Sequence, residues 1–163
     1  MINQEIKKLR YLFKEQAIDG YVVPKNDEFF SEFSKIDRLK IISNFNGSAG
    51  YAVILKNKNY LFVDGRYTIQ AQIESGKNFI ITEYHKIVNC NLFKNLTLGI
   101  NPKLFTSNQI KKFFLKNNKI KLIKTDLIKQ NSKKKLNNLS PFFSLDKLIV
   151  GESHKKKISK IVD

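Results

Sequence analysis

Apolar and polar positions change period several times along this chain. Ile2, Ile6, Leu9, Leu12 and Phe13 fall on one face at helical spacing ahead of Asp19-Gly20, which predicts an amphipathic first helix. GYVVP, residues 20–24, is an unbroken apolar run closed by Pro24, the pattern of a short buried strand. Residues 28–42 read as one or two helical turns over an apolar surface. Residues 51–55 and 60–63 flank the polar stretch Lys56-Asn57-Lys58-Asn59 and predict a hairpin. A helix over about 67–75, ending at Gly76, and a strand over 79–83 follow. The second half repeats the alternation: strand 97–100, helix 107–116 with Ile110, Phe113 and Phe114 inward, strand 120–123. Alternating strands and helices with one hairpin predict an α/β fold, a mixed β-sheet flanked by helices. Residues 130–141, QNSKKKLNNLSP, have the character of a linker, and 153–162 reads as a final helix. The expected division is therefore an α/β domain over 1–129, a linker over 130–141, and the start of a second, truncated domain over 142–163.

The stretch from Arg38 to Gln72 carries the most information. NGSAG at 46–50 reads as a tight turn in which Gly47 and Gly50 supply positive φ angles. Its spacing matches neither G-x-G-x-x-G nor G-x-x-x-x-G-K-[ST], so nucleotide phosphates are not indicated. Asp64-Gly65 would ordinarily mark a hairpin turn. However, Tyr67, Ala71 and Glu74 follow at helical spacing, so Asp64 reads as a strand-end carboxylate and helix N-terminal residue.

Together these residues resemble the N-terminal domain of the aminopeptidase P branch of the creatinase/prolidase family, the Xaa-Pro aminopeptidases. The matching segments are GYVVP at 20–24, Asp27-Glu28-Phe29-Phe30-Ser31-Glu32-Phe33, Arg38, NFNGSAG at 44–50, and LFVDGRY at 61–67 with Gln70-Ala71. Asn44 stands where the family usually has Gly, Phe33 replaces the usual Tyr, and the expected Trp is missing because the chain has none. LGINPKLF from Leu98 resembles a Gly-x-Asp segment with Asn101 in place of Asp. Gly151-Glu152-Ser153 with Lys157 and Ile158 resembles the opening of the family's second, also noncatalytic, domain. The likeness is strong to residue 84 and weaker beyond.

The resemblance implies a three-layer α/β domain and a noncatalytic role in scaffolding, oligomerisation and active-site access. Its partners would be the protein's own C-terminal catalytic domain, a second copy and, indirectly, the peptide substrate. It implies no cofactor in this fragment and two metal ions, manganese by family habit, in a catalytic domain that removes N-terminal residues preceding proline. Phe45, Asp64, Arg66 and Tyr67 are the candidate interface or cleft-rim residues; the alternative for Asp64 and Arg66 is an ion pair or cap that holds the corner. His85 at a strand end lacks an orienting partner in sequence and reads as a surface or capping histidine. Cys90 has no second Cys to pair with and no nearby His, and reads as a neutral half-buried thiol.

Charge adds a competing possibility. The net charge is +16, and residues 84–163 carry +14 of it, with 18 Lys/Arg against 4 Asp/Glu. A basic half can face nucleic acid or an acidic membrane. But 27 of the 30 basic residues are Lys and three are Arg, whereas phosphate and base readout favours the Arg fork. The charge therefore reads as generic. No apolar run approaches the roughly 20 residues that span a bilayer, and MINQEIKKLR lacks the apolar core of a signal peptide, so the expected setting is cytoplasmic, without membrane or nucleic acid. Two further readings stay open: a free-standing binding module lacking a catalytic partner, and a basic nucleic-acid-binding domain.

Overall fold

The computed structural model describes residues 2–34, 36–88, 92–128 and 143–162. The chain divides into two compact units, residues 1–133 and 134–163. The expected linker at 130–141 and Cys90 lie outside the described residues.

The first unit is built on a six-stranded sheet: β1 (Gly20–Pro24), β2 (Gly50–Leu55), β3 (Asn59–Val63), β4 (Ile80–Glu83), β5 (Thr97–Ile100) and β6 (Lys119–Leu122). Their spatial order is β4-β3-β2-β1-β5-β6. β2 runs antiparallel to both β1 and β3, while the β1–β5, β3–β4 and β5–β6 pairs are parallel. Only β2 is reversed, so the carboxyl ends of the other five strands share one edge of the sheet.

The central strands are buried on both faces, which is why they read as continuous apolar runs rather than alternating ones. Tyr21, Val23, Ala52, Ile54, Leu61 and Val63 face one core with α1 (Ile2–Glu15), α2 (Arg38–Ser43) and α3 (Thr68–Ser75). Val22, Tyr51, Val53, Tyr60 and Phe62 face the other, closed by Ile87, Phe93, Leu104, Phe105 and Phe114. The result is the three-layer arrangement expected. From α1, Ile6, Leu9 and Phe13 are the residues that bury. On the β6 edge Lys119 and Lys121 stand exposed, a charged strand that discourages pairing with another sheet.

Three local expectations are corrected. Of the residues 28–42 read as helical turns, only Arg38–Ser43 forms a helix. Asp27 Oδ1 instead accepts the backbone N–H groups of Phe29 and Ser31, a local turn that competes with helix, and Phe30 takes φ +60°. The helix expected over 107–116 begins as α4 (Ser107–Ile110), with Thr106 and Gln109 forming a capping box, and continues as a π-helical turn, Lys111–Leu115. Gly47 and Gly50 are not in positive-φ conformations; among described glycines only Gly151 is. They are needed for space, since a Cβ on Gly47 would overlap the Phe45 ring and one on Gly50 would lie 2.9 Å from the Phe62 carbonyl oxygen.

In the second unit, helices Lys147–Val150 and His154–Val162 are joined through Gly151 at φ +76°. Asp146 caps the first by accepting the Leu148 N–H, and Glu152 pairs with Lys160 at 2.7 Å. Leu148, Ile149, Ile158, Ile161 and Val162 are all exposed.

Candidate functional site

The strand ends define where a site can form. The antiparallel register sets Gly50 opposite Val63, so the Gly-rich turn entering β2 and the Asp64 corner leaving β3 meet at one edge of the sheet. A hydrogen bond of 2.9 Å between the Ser48 and Tyr67 hydroxyls joins the two segments. The carboxyl end of β1 brings Lys25 and Asn26 to the same edge, and the carboxyl end of β4 brings Tyr84. A cleft of about 320 Å³ opens there. Its lining comes from Lys25 and Asn26, from Phe30 and Glu32 of the following loop, from Ser48 to Tyr51, and from Asp64 and Tyr84. In open α/β sheets the crevice outside the strand carboxyl ends is the usual place for a ligand.

Each polar group in the cleft has a specific setting. Lys25 is only 8% exposed, and its ammonium lies 2.6 Å from Asp37 Oδ2. Asn26 Nδ2 donates to the Asp27 and Leu104 carbonyls, fixing the loop after β1 to the segment after β5. Asp64 caps the short 3-10 turn Gly65–Tyr67: its Oδ1 accepts the Arg66 N–H at 3.0 Å and Arg66 Nε at 2.9 Å. These two bonds hold its carboxyl below the ordinary carboxylate range. Burial pushes the Tyr51 hydroxyl above the usual tyrosine range, so it stays neutral, and it accepts from Gln109 Nε2 at 3.3 Å.

Behind the cleft stands an aromatic cluster. The Tyr51 ring centroid lies 5.5 Å from Tyr84, 5.9 Å from Phe113 and 6.1 Å from Phe105. Tyr84 meets Phe113 edge-on at 5.7 Å. The π-helical turn supplies Phe113 and Phe114 to this cluster, and such turns concentrate at functional sites.

The four candidate residues fall in different environments. Asp64 lines the cleft, and the Arg66 side chain is 79% exposed beside it. Tyr67 is half-buried, under the Arg66 guanidinium and against Phe45, whose ring it meets edge-on at 5.9 Å. Phe45 itself is wholly buried in the α-helical core, so it supports the corner from beneath instead of offering a surface. His85 Nδ1 lies 3.2 Å from Glu83 Oε2, with both side chains well exposed. Among the described residues no three His, Cys, Asp or Glu side chains gather where a metal ion could be held. Sequence reading missed Lys25, Glu32 and Tyr84 as cleft residues. The one signal that pointed to Lys25 was Pro24, which ends β1 and leaves the next residues at its carboxyl end.

The family model described as the creatinase/prolidase N-terminal domain matches residues 5–130. A Coprinopsis cinerea protein named Probable Xaa-Pro aminopeptidase P is 30% identical over 98% of this chain and 28% of its own length. Xaa-Pro aminopeptidase 1 of Dictyostelium discoideum is 34% identical over 64% of the chain and 18% of its own length. This chain thus spans less than a third of these curated relatives. Among solved structures, an X-prolyl aminopeptidase from Caenorhabditis elegans, described as a cytosolic enzyme with a di-nuclear active site, aligns with a TM-score of 0.73. That alignment has 23% identity and covers 99% of this chain and 30% of that one. The N-terminal domain of the cytoplasmic peptidase PepQ from Mycobacterium tuberculosis aligns at TM-score 0.57 and 16% identity, over 78% of this chain and 97% of that one.

Proposed function

This chain belongs to the creatinase/prolidase N-terminal domain family, and from that premise we propose that it is the noncatalytic N-terminal domain of a cytoplasmic, metal-dependent Xaa-Pro aminopeptidase. Its work is to mediate oligomer contacts and to narrow the approach to the active site of the whole protein, which removes N-terminal residues preceding proline. Residues 142–163 are the start of the next domain. The observation that supports the access role is the convergence of the Gly-rich turn, the Asp64–Tyr67 corner and the loop after β1 on one cleft at one edge of the sheet. Chain segments of such different sequence origin meet at the same edge as the exposed Arg66.

Two metal ions, manganese by family habit, would act in the catalytic domain. The residues described in this chain do not fit such a pair: two metals sharing one water need bridging carboxylates and a His close together, and no such group exists among them. The reaction chemistry is accordingly assigned to the rest of the protein. Asp64, Arg66 and Tyr67 act by position. Asp64 accepts the Arg66 backbone N–H and Nε, and the guanidinium lies 5.7 Å from the Tyr67 ring centroid, which keeps the cation beside the cleft.

The test compares the whole protein with its Arg66→Ala variant on Xaa-Pro peptides of increasing length, alongside sedimentation to read the oligomeric state. An access role predicts a change in kcat/KM that grows with peptide length, and an interface role predicts a weaker oligomer; identical kinetics and sedimentation overturn both. The 163-residue chain by itself, with or without manganese, should leave an Xaa-Pro peptide intact.

A further inference from the structure

The charges around the cleft pair off with one exception. Lys25 is matched by Asp37 at 2.6 Å, and Asp64 by Arg66 at 2.9 Å. Among the described residues Glu32 has no ion-pair or hydrogen-bond partner for its carboxylate, yet it lines the cleft. The second oxygen of Asp64, Oδ2, also makes no hydrogen bond among them. The pocket of a protein with net charge +16 therefore presents one uncompensated negative charge. The rest of the lining is Asn26, the Ser48–Gly50 stretch of the Gly-rich turn, and three aromatic residues, Phe30, Tyr51 and Tyr84. Carboxylate plus aromatic faces is the combination that attracts an organic cation, by charge and by the negative face of the ring. About 320 Å³ lies at the small end of the range of ligand sites, enough for one long side chain and too little for a folded segment.

We propose that this cleft binds the guanidinium or ammonium group of a single basic side chain, with Glu32 as counter-ion and the Phe30, Tyr51 and Tyr84 rings as walls. Tyr51 and Tyr84 are held in place from behind by Phe113, so these two walls exist before the ligand arrives. The chain's many lysines do not cancel the site at physiological salt. With a Debye length of about 8 Å, distant charges are screened and the adjacent carboxylate dominates. Asn26 Oδ1 and Asp64 Oδ2 remain as acceptors for the N–H groups of the cation. The site stands on its own geometry and does not rest on the peptidase reading.

The experiment titrates the ¹⁵N-labelled 163-residue chain with N-acetyl-arginine amide and, separately, with N-acetyl-citrulline amide, which keeps the shape and loses the charge. The arginine probe should shift the amides of residues 48–51, 64 and 84 in a saturable way, and the citrulline probe should not. Glu32→Gln should weaken arginine binding by about three- to tenfold at an unchanged unfolding midpoint. Glu32→Asp should retain part of it. Equal binding of the two probes, shifts that map elsewhere, no saturable shift, or full affinity in Glu32→Gln would each overturn the site. None of these outcomes touches the length-dependent kinetics of the whole protein, so the two readings fail separately.

Discussion

Asn44 terminates α2 with φ +67°, a left-handed position that glycine fills without strain and asparagine tolerates. This accounts for an Asn at a position where the resemblance to the family implies Gly. Asn44→Gly should alter stability by only a few tenths of a kcal/mol, whereas Asn44→Val should cost about 1–2 kcal/mol in urea unfolding. Gly47 is required for a different reason: the Phe45 ring occupies the space a Cβ would need. Gly47→Ala should destabilise by about 1–3 kcal/mol. Gly65 is the contrast, with nothing within 4 Å of a built Cβ and no positive φ. Gly65→Ala should leave stability unchanged or raise it by up to about 1 kcal/mol. Turn chemistry thus told the sequence reader that glycines belong here but not which constraint each answers, because the constraint on Gly47 is a ring folded back from two residues earlier.

Elements were legible where burial set the pattern. GYVVP, YAVIL and YLFV are apolar on both faces because helices cover both sides, and they emerge as β1, β2 and β3. The Asp64 corner was also legible, since helical spacing follows it and its carboxylate does cap the turn. The loop at 27–34 was not. Phe29, Phe30 and Phe33 mimic a helical face, yet Asp27 takes the backbone donors and leaves Phe33 86% exposed. Long-range polar ties were equally invisible. Asp19 Oδ2 accepts the Thr97 N–H at 2.9 Å and Oδ1 the Lys56 ammonium at 2.6 Å, tying the start of β1 to β5 and to the hairpin. Lys56 foremost, then the Thr97 N–H, lowers the Asp19 pKa below 3.8. A depressed folded-state value means that this stabilisation is present above the ordinary carboxylate pKa and is lost as pH falls through the lower folded one. Asp19→Asn should accordingly flatten the acid limb of a stability-versus-pH curve and leave its slope near neutrality unchanged.

For the molecule as a whole, the described residues place every buried apolar side chain between Ile6 and Ile128. Removing residues 134–163 should therefore leave the thermal midpoint and the cooperativity of the first unit as they were. A drop of more than a few degrees would show that the second unit contributes. The basic half is also a whole-molecule property. It is built from Lys, with no Arg in residues 84–163 and hence no aromatic stacking platforms interleaved with Arg, so binding to random DNA or RNA should be weak and vanish near physiological salt. Submicromolar, sequence-sensitive binding under those conditions would restore the nucleic-acid reading. Net charge was countable from the sequence; the cleft was not, because Lys25, Glu32, Asp64 and Tyr84 are drawn together only by the strand order.

Strand order also sets a timetable for synthesis. β1 sits mid-sheet between β2, which follows it closely, and β5, which is made much later. At about 5–20 residues per second, roughly two to eight seconds pass between completion of β2 and arrival of β5. Throughout that interval one edge of β1 is unpaired, and Arg38, only 8% exposed at its side chain in the finished fold, has Glu28, 3.8 Å away in that fold, but not yet Asp126, which lies 2.7 Å from it there. The nascent chain is therefore a half-sheet with an open apolar edge, and the nearer of the two carboxylates that pair with its buried arginine is among the last parts of the first unit to leave the ribosome.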